Sequence, residues 1–178
     1  MNVPYTIEHV QSHDYDQAIA FVMQIRKTLF PMLDHSKTPN DLRRFEQHYS
    51  ESNRAAFLAA FNQSRKIIGT IGFGSYDGRF DHLLHNDQSY QTAEVVKCYT
   101  DPSYRRIGLG TALVKEATRF AVKSGYEMLY LHTHLFLPGA VEFWHRQGFS
   151  RQLTENDPLW QTVHMDKTIA DHKEEKRA

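Results

Sequence analysis

Apolar positions along this chain switch repeatedly between strand-like runs and helical spacing. Tyr5 to Val10 reads as a first strand. Asp14-x-x-Gln17 has the form of a capping box, and Ile19, Val22, Ile25 and Leu29 then recur at helical spacing until Pro31 stops the helix. A second helix is expected from Asn40, with Leu42, Phe45 and Tyr49 on one face. Ala56 to Phe61 and Ile67 to Tyr76 predict a hairpin joined by the polar turn Asn62-Gln63-Ser64-Arg65. Gly78 to Ser89 is polar and rich in His and Asp, as a loop is. Ala93 to Thr100 is a further strand. Leu109, Leu113, Ala117, Phe120 and Ala121 form the core stripe of the helix after it, which ends at Gly125. Met128 to Leu131 is a continuous apolar run, the pattern of a strand covered on both faces. Pro138 suits the first position of a helix, in which Ala140, Phe143 and Trp144 share a face before Gly148. A short strand is expected near Phe149, and Trp160 to Lys167 is the last strand.

Hairpins come first and a β-α-β unit follows, so the fold class is α/β with a mixed sheet. Residues 1–170 are expected to form a single domain, and residues 171–178 a charged, disordered tail.

At 178 residues the chain is long enough for one sizeable core. Its formal net charge is zero, which argues against a broad nucleic-acid or membrane surface, since both need a basic excess. The single cysteine, Cys98, excludes an intramolecular disulfide and any multi-cysteine metal site. None of the 11 histidines stands in a metal-ligand spacing, so no metal is expected. No signal peptide or apolar run of membrane-spanning length is read, which makes a cytoplasmic protein the expectation.

The chemistry concentrates in Ala93 to Thr111. An apolar strand runs into Asp101-Pro102, then Arg105-Arg106-Ile107-Gly108-Leu109-Gly110, and a helix opens at once. Glycines there leave the first helical N–H groups bare, and the helix dipole favours an anion beside them. A P-loop would need Gly-Lys-Ser/Thr, which is absent. A dinucleotide loop would need a third glycine where Leu113 stands.

The loop instead resembles the Gln/Arg-x-x-Gly-x-Gly/Ala pyrophosphate loop of the GNAT (Gcn5-related) N-acetyltransferases. Downstream, Ala140-Val141-Glu142-Phe143-Trp144-His145-Arg146-Gln147-Gly148-Phe149 is similar to that family's Ala-Ile-x-x-Tyr-x-x-x-Gly-Phe motif. The likeness spans Ala93 to Phe149, and the first half of the chain matches only in element order. The resemblance implies a partly splayed central sheet with helices on both faces and acetyl-CoA as co-substrate. The backbone of Arg105, Arg106, Ile107, Gly108, Leu109, Gly110 and Thr111 would hold the pyrophosphate. Cys98, Tyr99 and Thr100 would pair with the pantetheine arm, beside a bulge and a wedge opened against Met128 to Leu131. The same chemistry follows from the arm itself, whose amides need free backbone donors and acceptors.

Acetyl transfer requires an amine freed of its proton, whose ordinary pKa is about 10. It also requires a donor for the carbonyl oxygen and a proton for the departing thiolate. Glu94, on the strand before the loop, is the candidate base, directly or through water. A surface-paired glutamate or a binder of the substrate ammonium are the competing readings. Alternation places Glu94 on one face with Val96, Cys98 and Thr100, unless a bulge intervenes. The oxyanion donor would be a backbone N–H near Cys98 or Tyr99. Trp144 stands where the family often has a tyrosine acid. Indole is a donor only, so that role does not carry over, and Trp144 is expected beside the pantetheine or sulfur end. Tyr99, Tyr104, His134 or water are the substitutes. Leu137 likewise replaces a frequent asparagine. Cys98 reads as a strand cysteine rather than an acylated nucleophile. Arg146 is placed either near the 3′-phosphate or on a solvated face. Asp34, Glu155 and Asp157 lie in loops flanking the acceptor side, as binders of a cationic amine or as plain surface acids.

The expectation is direct N-acetylation of a small-molecule or peptide amine by a monomer or homodimer. The alternatives are a non-catalytic CoA-binding or regulatory module, a longer acyl donor, or a hydroxyl acceptor. Neither nucleic acid nor a membrane is an expected partner.

Overall fold

The computed structural model describes residues 4–80 and 91–169. Seven strands form one mixed sheet in the order β1 (Tyr5–His9), β2 (Ala56–Asn62), β3 (Ile67–Ser75), β4 (Thr92–Thr100), β5 (Met128–His134), β7 (Thr162–Thr168) and β6 (Ser150–Thr154). Among the described residues only the central β4–β5 pair is parallel; every other neighbour is antiparallel. The helix α1 (Tyr15–Leu29) and the short α2 (Asn40–Arg43) and α3 (Phe45–His48) cover one face. On the other face lie α4 (Leu109–Lys123) and α5 (Ala140–Arg146).

Strand alternation sorts the core into these two layers. Leu58, Ala60, Ile71, Phe73, Leu129 and Leu131 pack against Leu113, Ala117 and Ala121 of α4. Phe57, Ala59 and Phe61 turn the opposite way, onto Phe21, Val22, Leu42 and Phe45. Leu113 is fully buried, and removing its side chain would cost about 3 kcal/mol.

Several expectations are corrected in detail. Asp14 makes no cap bond, because it closes a 3₁₀ turn over Ser12–Asp14 and its carboxylate faces Arg65 and His13. Gln17 is a hairpin anchor instead: its side chain accepts from Ile67 N at 2.6 Å and donates to Arg65 O at 3.3 Å. The helix after Asn40 breaks at Arg44, so Leu42 and Phe45 reach the core from separate turns. The α5 helix opens at Ala140 behind Gly139, whose φ of 73° makes it the N-cap, so Pro138 lies outside the helix. The last strand begins at Thr162 rather than Trp160, and β5 runs three residues past Leu131, to His134. Most of the Gly78–Ser89 loop and the whole tail fall outside the described residues. Among the described residues no helix is long and apolar enough to cross a membrane.

Candidate active site

The site begins where the two parallel strands separate. β4 and β5 pair only at Thr92↔Met128, Ala93↔Leu129 and Glu94↔Tyr130. Beyond that rung they diverge, and the freed edge of β4 becomes a wall. A bulge accompanies the split. One residue on β3, Ile71, faces two on β4, Lys97 and Cys98, and Lys97 takes up the extra length with φ 51°. Thr70 Oγ1 donates to Lys97 O at 2.9 Å and pins the bulge. Lys97 Nζ in turn meets Asp41 Oδ2 at 2.5 Å, which ties the bulge to α2.

A cleft of about 910 Å³ fills the opening. Cys98, Tyr99 and Thr100 line one side, and Leu131, Thr133, Leu137 and Trp144 another. Its far end is the loop before α4, where Arg105, Arg106, Gly108, Leu109, Gly110 and Thr111 all line the cleft. Gly108 is the N-cap of α4 at φ 81°, with no side-chain cap and nothing within 4 Å of where a Cβ would stand. The first-turn N–H groups of this 15-residue helix therefore point into open space, a cradle suited to a phosphate. Gly110 has the other use of glycine: a Cβ there would come within 3.1 Å of the Phe143 ring, so its absence lets α5 close against the loop. Ile107 alone of the expected loop residues turns away and packs on the core. Trp144 is buried between Phe143 and Phe149 while still lining the cleft. These residues fit a pyrophosphate with an extended amide-bearing arm.

At the vertex of the split stands Glu94. The bulge changes the expected alternation. Cys98 joins Ala93 and Val95 on the α4 face, whereas Glu94 looks to the α1 face, as Tyr99 does. Arg79 grips the carboxylate with two bonds, of 2.8 and 2.5 Å, and His132 Nδ1 lies 3.4 Å from Oε1. Burial would raise the Glu94 pKa, but the bonds from His132 and Arg79 and the Arg79 charge outweigh it and bring it down to about 2. Such a carboxylate is a fixed anion and a weak base. In the tautomer whose Nδ1–H faces Glu94, His132 carries its lone pair on Nε2, which has no protein partner among the described residues.

A second cavity of about 330 Å³ adjoins the first on the α1 face. Arg26, Phe30, Tyr99, His132 and His134 line both and form the seam. Burial lowers the His134 pKa, and its Nδ1 donates to Trp160 O at 2.8 Å. Burial pushes Tyr99 up to about 12 and the Cys98 thiol also up to about 12, so both keep their protons at neutral pH. Tyr104 lines the large cleft and its hydroxyl takes a bond from Asn62 Nδ2. Among the described residues no group of three or more His, Cys, Asp or Glu is placed to hold a metal ion.

The structure thus gathers Glu94, Cys98, Tyr99, Thr100, Trp144 and all but one of the loop residues around one opening. His132 was missed. Its signal was present: continuing the alternation past Leu131 puts Tyr130, His132 and His134 on one face of β5.

A family model described as the acetyltransferase (GNAT) family matches residues 19–149. An uncharacterized N-acetyltransferase of Methanocaldococcus jannaschii is 32% identical over 82 residues, covering 46% of this chain. The match spans 35% of that relative's own length. Among solved structures, a GNAT-family acetyltransferase from Staphylococcus aureus Mu50 superposes with a TM-score of 0.75 at 21% identity, covering 94% of this chain and 100% of the other. The yncA protein of Salmonella typhimurium, solved with its cofactor acetyl-CoA, superposes at 0.73 with 16% identity, covering 98% and 99%. At those identities the likeness is one of fold.

Proposed function

The chain belongs to the acetyltransferase (GNAT) family, and from that premise we propose that it transfers an acetyl group from acetyl-CoA to a primary amine, directly and with both substrates bound. The single observation that carries this reading is the position of the Glu94–His132 pair at the vertex where β4 and β5 part, between the large cleft and the smaller cavity.

Acetyl-CoA supplies an acyl group already activated as a thioester. The loop from Arg105 to Thr111 holds its pyrophosphate, and the freed edge of β4 at Cys98, Tyr99 and Thr100 pairs with the pantetheine amides. Trp144 packs along the arm. A backbone N–H near Cys98 or Tyr99 serves the carbonyl oxygen as charge develops, without reorganisation. His132 Nε2 accepts the amine proton, and the Glu94 anion holds the ring in the required tautomer and stabilises the imidazolium. This divides the work expected of Glu94 alone. Tyr99, still protonated at neutral pH, can return a proton to the sulfur. Cys98 keeps its own proton, which favours direct transfer over a cysteine-bound acyl group.

Thiol release with saturating acetyl-CoA across a panel of primary amines tests the proposal. Amine-dependent release is the expected result. Binding of acetyl-CoA with no release for any acceptor would point to a binding module, and release only with longer acyl donors to a different acyltransferase.

A further inference from the structure

We infer that the acceptor carries a second, cationic nitrogen, bound by Glu155 across an aromatic spacer from the amine that is acetylated. The inference deepens the amine-transfer reading and rests on it. Its basis is how charge is distributed along the smaller cavity. Away from the seam, that cavity is lined by Leu33, Phe80, Trp160, Thr162 and Glu155. Among the described residues of that stretch, Leu33, Phe80 and Trp160 are apolar and the one charged group is a carboxylate. The Glu155 side chain is 33% exposed, and a monoamine with an apolar tail would cover part of it without replacing the water it displaces.

Glu155 is built into place. Tyr130 Oη donates to His164 Nδ1 at 2.8 Å, and His164 Nε2 donates to Glu155 Oε1 at 2.7 Å. His164 is fully buried and stacks parallel to the Tyr130 ring. This string occupies Oε1 and leaves Oε2, which has no partner among the described residues, for the cavity. His164 is the register partner of His132, and their ring centres lie 6.4 Å apart. Glu155 therefore stands one hydrogen bond beyond the strand next to the base. One aromatic ring with a methylene at each end is the spacer inferred for that interval, since Phe80 and Trp160 offer ring faces beside it.

The field has a direction. Arg26 lines the seam and Arg79 balances the Glu94 carboxylate beside it, so no unbalanced anion faces the amine that must be neutral, while Glu155 sits at the far end. Like charge disfavours an ammonium at the seam and opposite charge favours one at Glu155. In the step itself the neutral nitrogen bonds to the acyl carbon as the carbon–sulfur bond breaks. Its proton passes to His132, the sulfur leaves as the thiolate and takes a proton from Tyr99, and the distal nitrogen keeps its charge.

The test compares kcat/KM for 1,4-bis(aminomethyl)benzene and benzylamine at saturating acetyl-CoA, in the full chain, in Glu155→Gln and in Glu155→Lys. The inference expects the diamine to be favoured at least tenfold, the ratio to fall to about one in Glu155→Gln, and 4-(aminomethyl)benzoate to become the preferred partner in Glu155→Lys. Equal values for the two amines in the unaltered chain overturn the inference and leave amine transfer standing. A preference that survives Glu155→Gln overturns the role of Glu155. Failure to acetylate any amine, with acetyl-CoA still bound by calorimetry, overturns both readings.

Discussion

His132 Nδ1 lies 3.4 Å from Glu94 Oε1, beside the last rung before β4 and β5 part. Arg79 holds the same carboxylate from the other side, so among the described residues Glu94 has one cation to balance it and one ring to orient.

Kinetics should separate the two partners. His132→Gln is expected to lower kcat by about 10²–10³-fold, the range of a lost general base, while KM for acetyl-CoA changes little. Glu94→Gln should lower kcat less and keep the acid limb of kcat/KM, because a carboxylate near 2 does not titrate in the working range. Loss of that limb in Glu94→Gln with its retention in His132→Gln would reverse the assignment.

The Glu94 ion pair also sets acid stability. Its folded pKa lies below the ordinary value of 4.5, so the stabilisation is present above about 4.5 and lost as pH falls towards 2. For a side chain 12% exposed the shift corresponds to about 3 kcal/mol. Urea unfolding at pH 7 should show Glu94→Gln destabilised by about 2–3 kcal/mol, with the gap shrinking at pH 3. A gap that stays constant across that window would contradict the ion-pair account.

Lys97 and Asp41 hold the bulge to α2 with side chains 16% and 17% exposed. Tyr49 also donates to that carboxylate. Asp41→Asn should cost about 1–3 kcal/mol, since it strands a part-buried ammonium. Adding Lys97→Met to it should cost little more or restore some stability. Additive losses in the double variant would show that the two residues act independently.

Cys98 should be dispensable for chemistry. Its thiol, raised to about 12 by burial, offers almost no thiolate at neutral pH. Cys98→Ala should keep kcat within a few fold, with intersecting rather than parallel initial-velocity lines. Parallel lines in the unaltered chain would indicate an acyl-enzyme.

Much of the architecture was legible because it is local. The helical stripe of Leu113 and Ala117, the turn after Asn62 and the glycines at 108 and 110 each state their conformation within a few residues. The splayed wedge was expected from the resemblance to a known family. What remained hidden depends on partners distant in sequence. A bulge at Lys97 requires knowing that Ile71 faces two residues, and it alone moves Cys98 off the Glu94 face. Asp14 and Gln17 have a capping-box spacing, yet the hairpin at Arg65 and Ile67 claims both side chains. The Glu94–Arg79–His132 cluster joins three segments that no spacing relates.

The proposed acetyl-CoA site is the α4 cradle together with the open edge of β4. Isothermal calorimetry of the unaltered chain and of Gly108→Ala tests it most directly. Saturable one-to-one binding is expected, weakened at least tenfold when a methyl group is placed at φ 81° in the cradle. Absence of heat at millimolar acetyl-CoA, or identical binding by the two proteins, would contradict it.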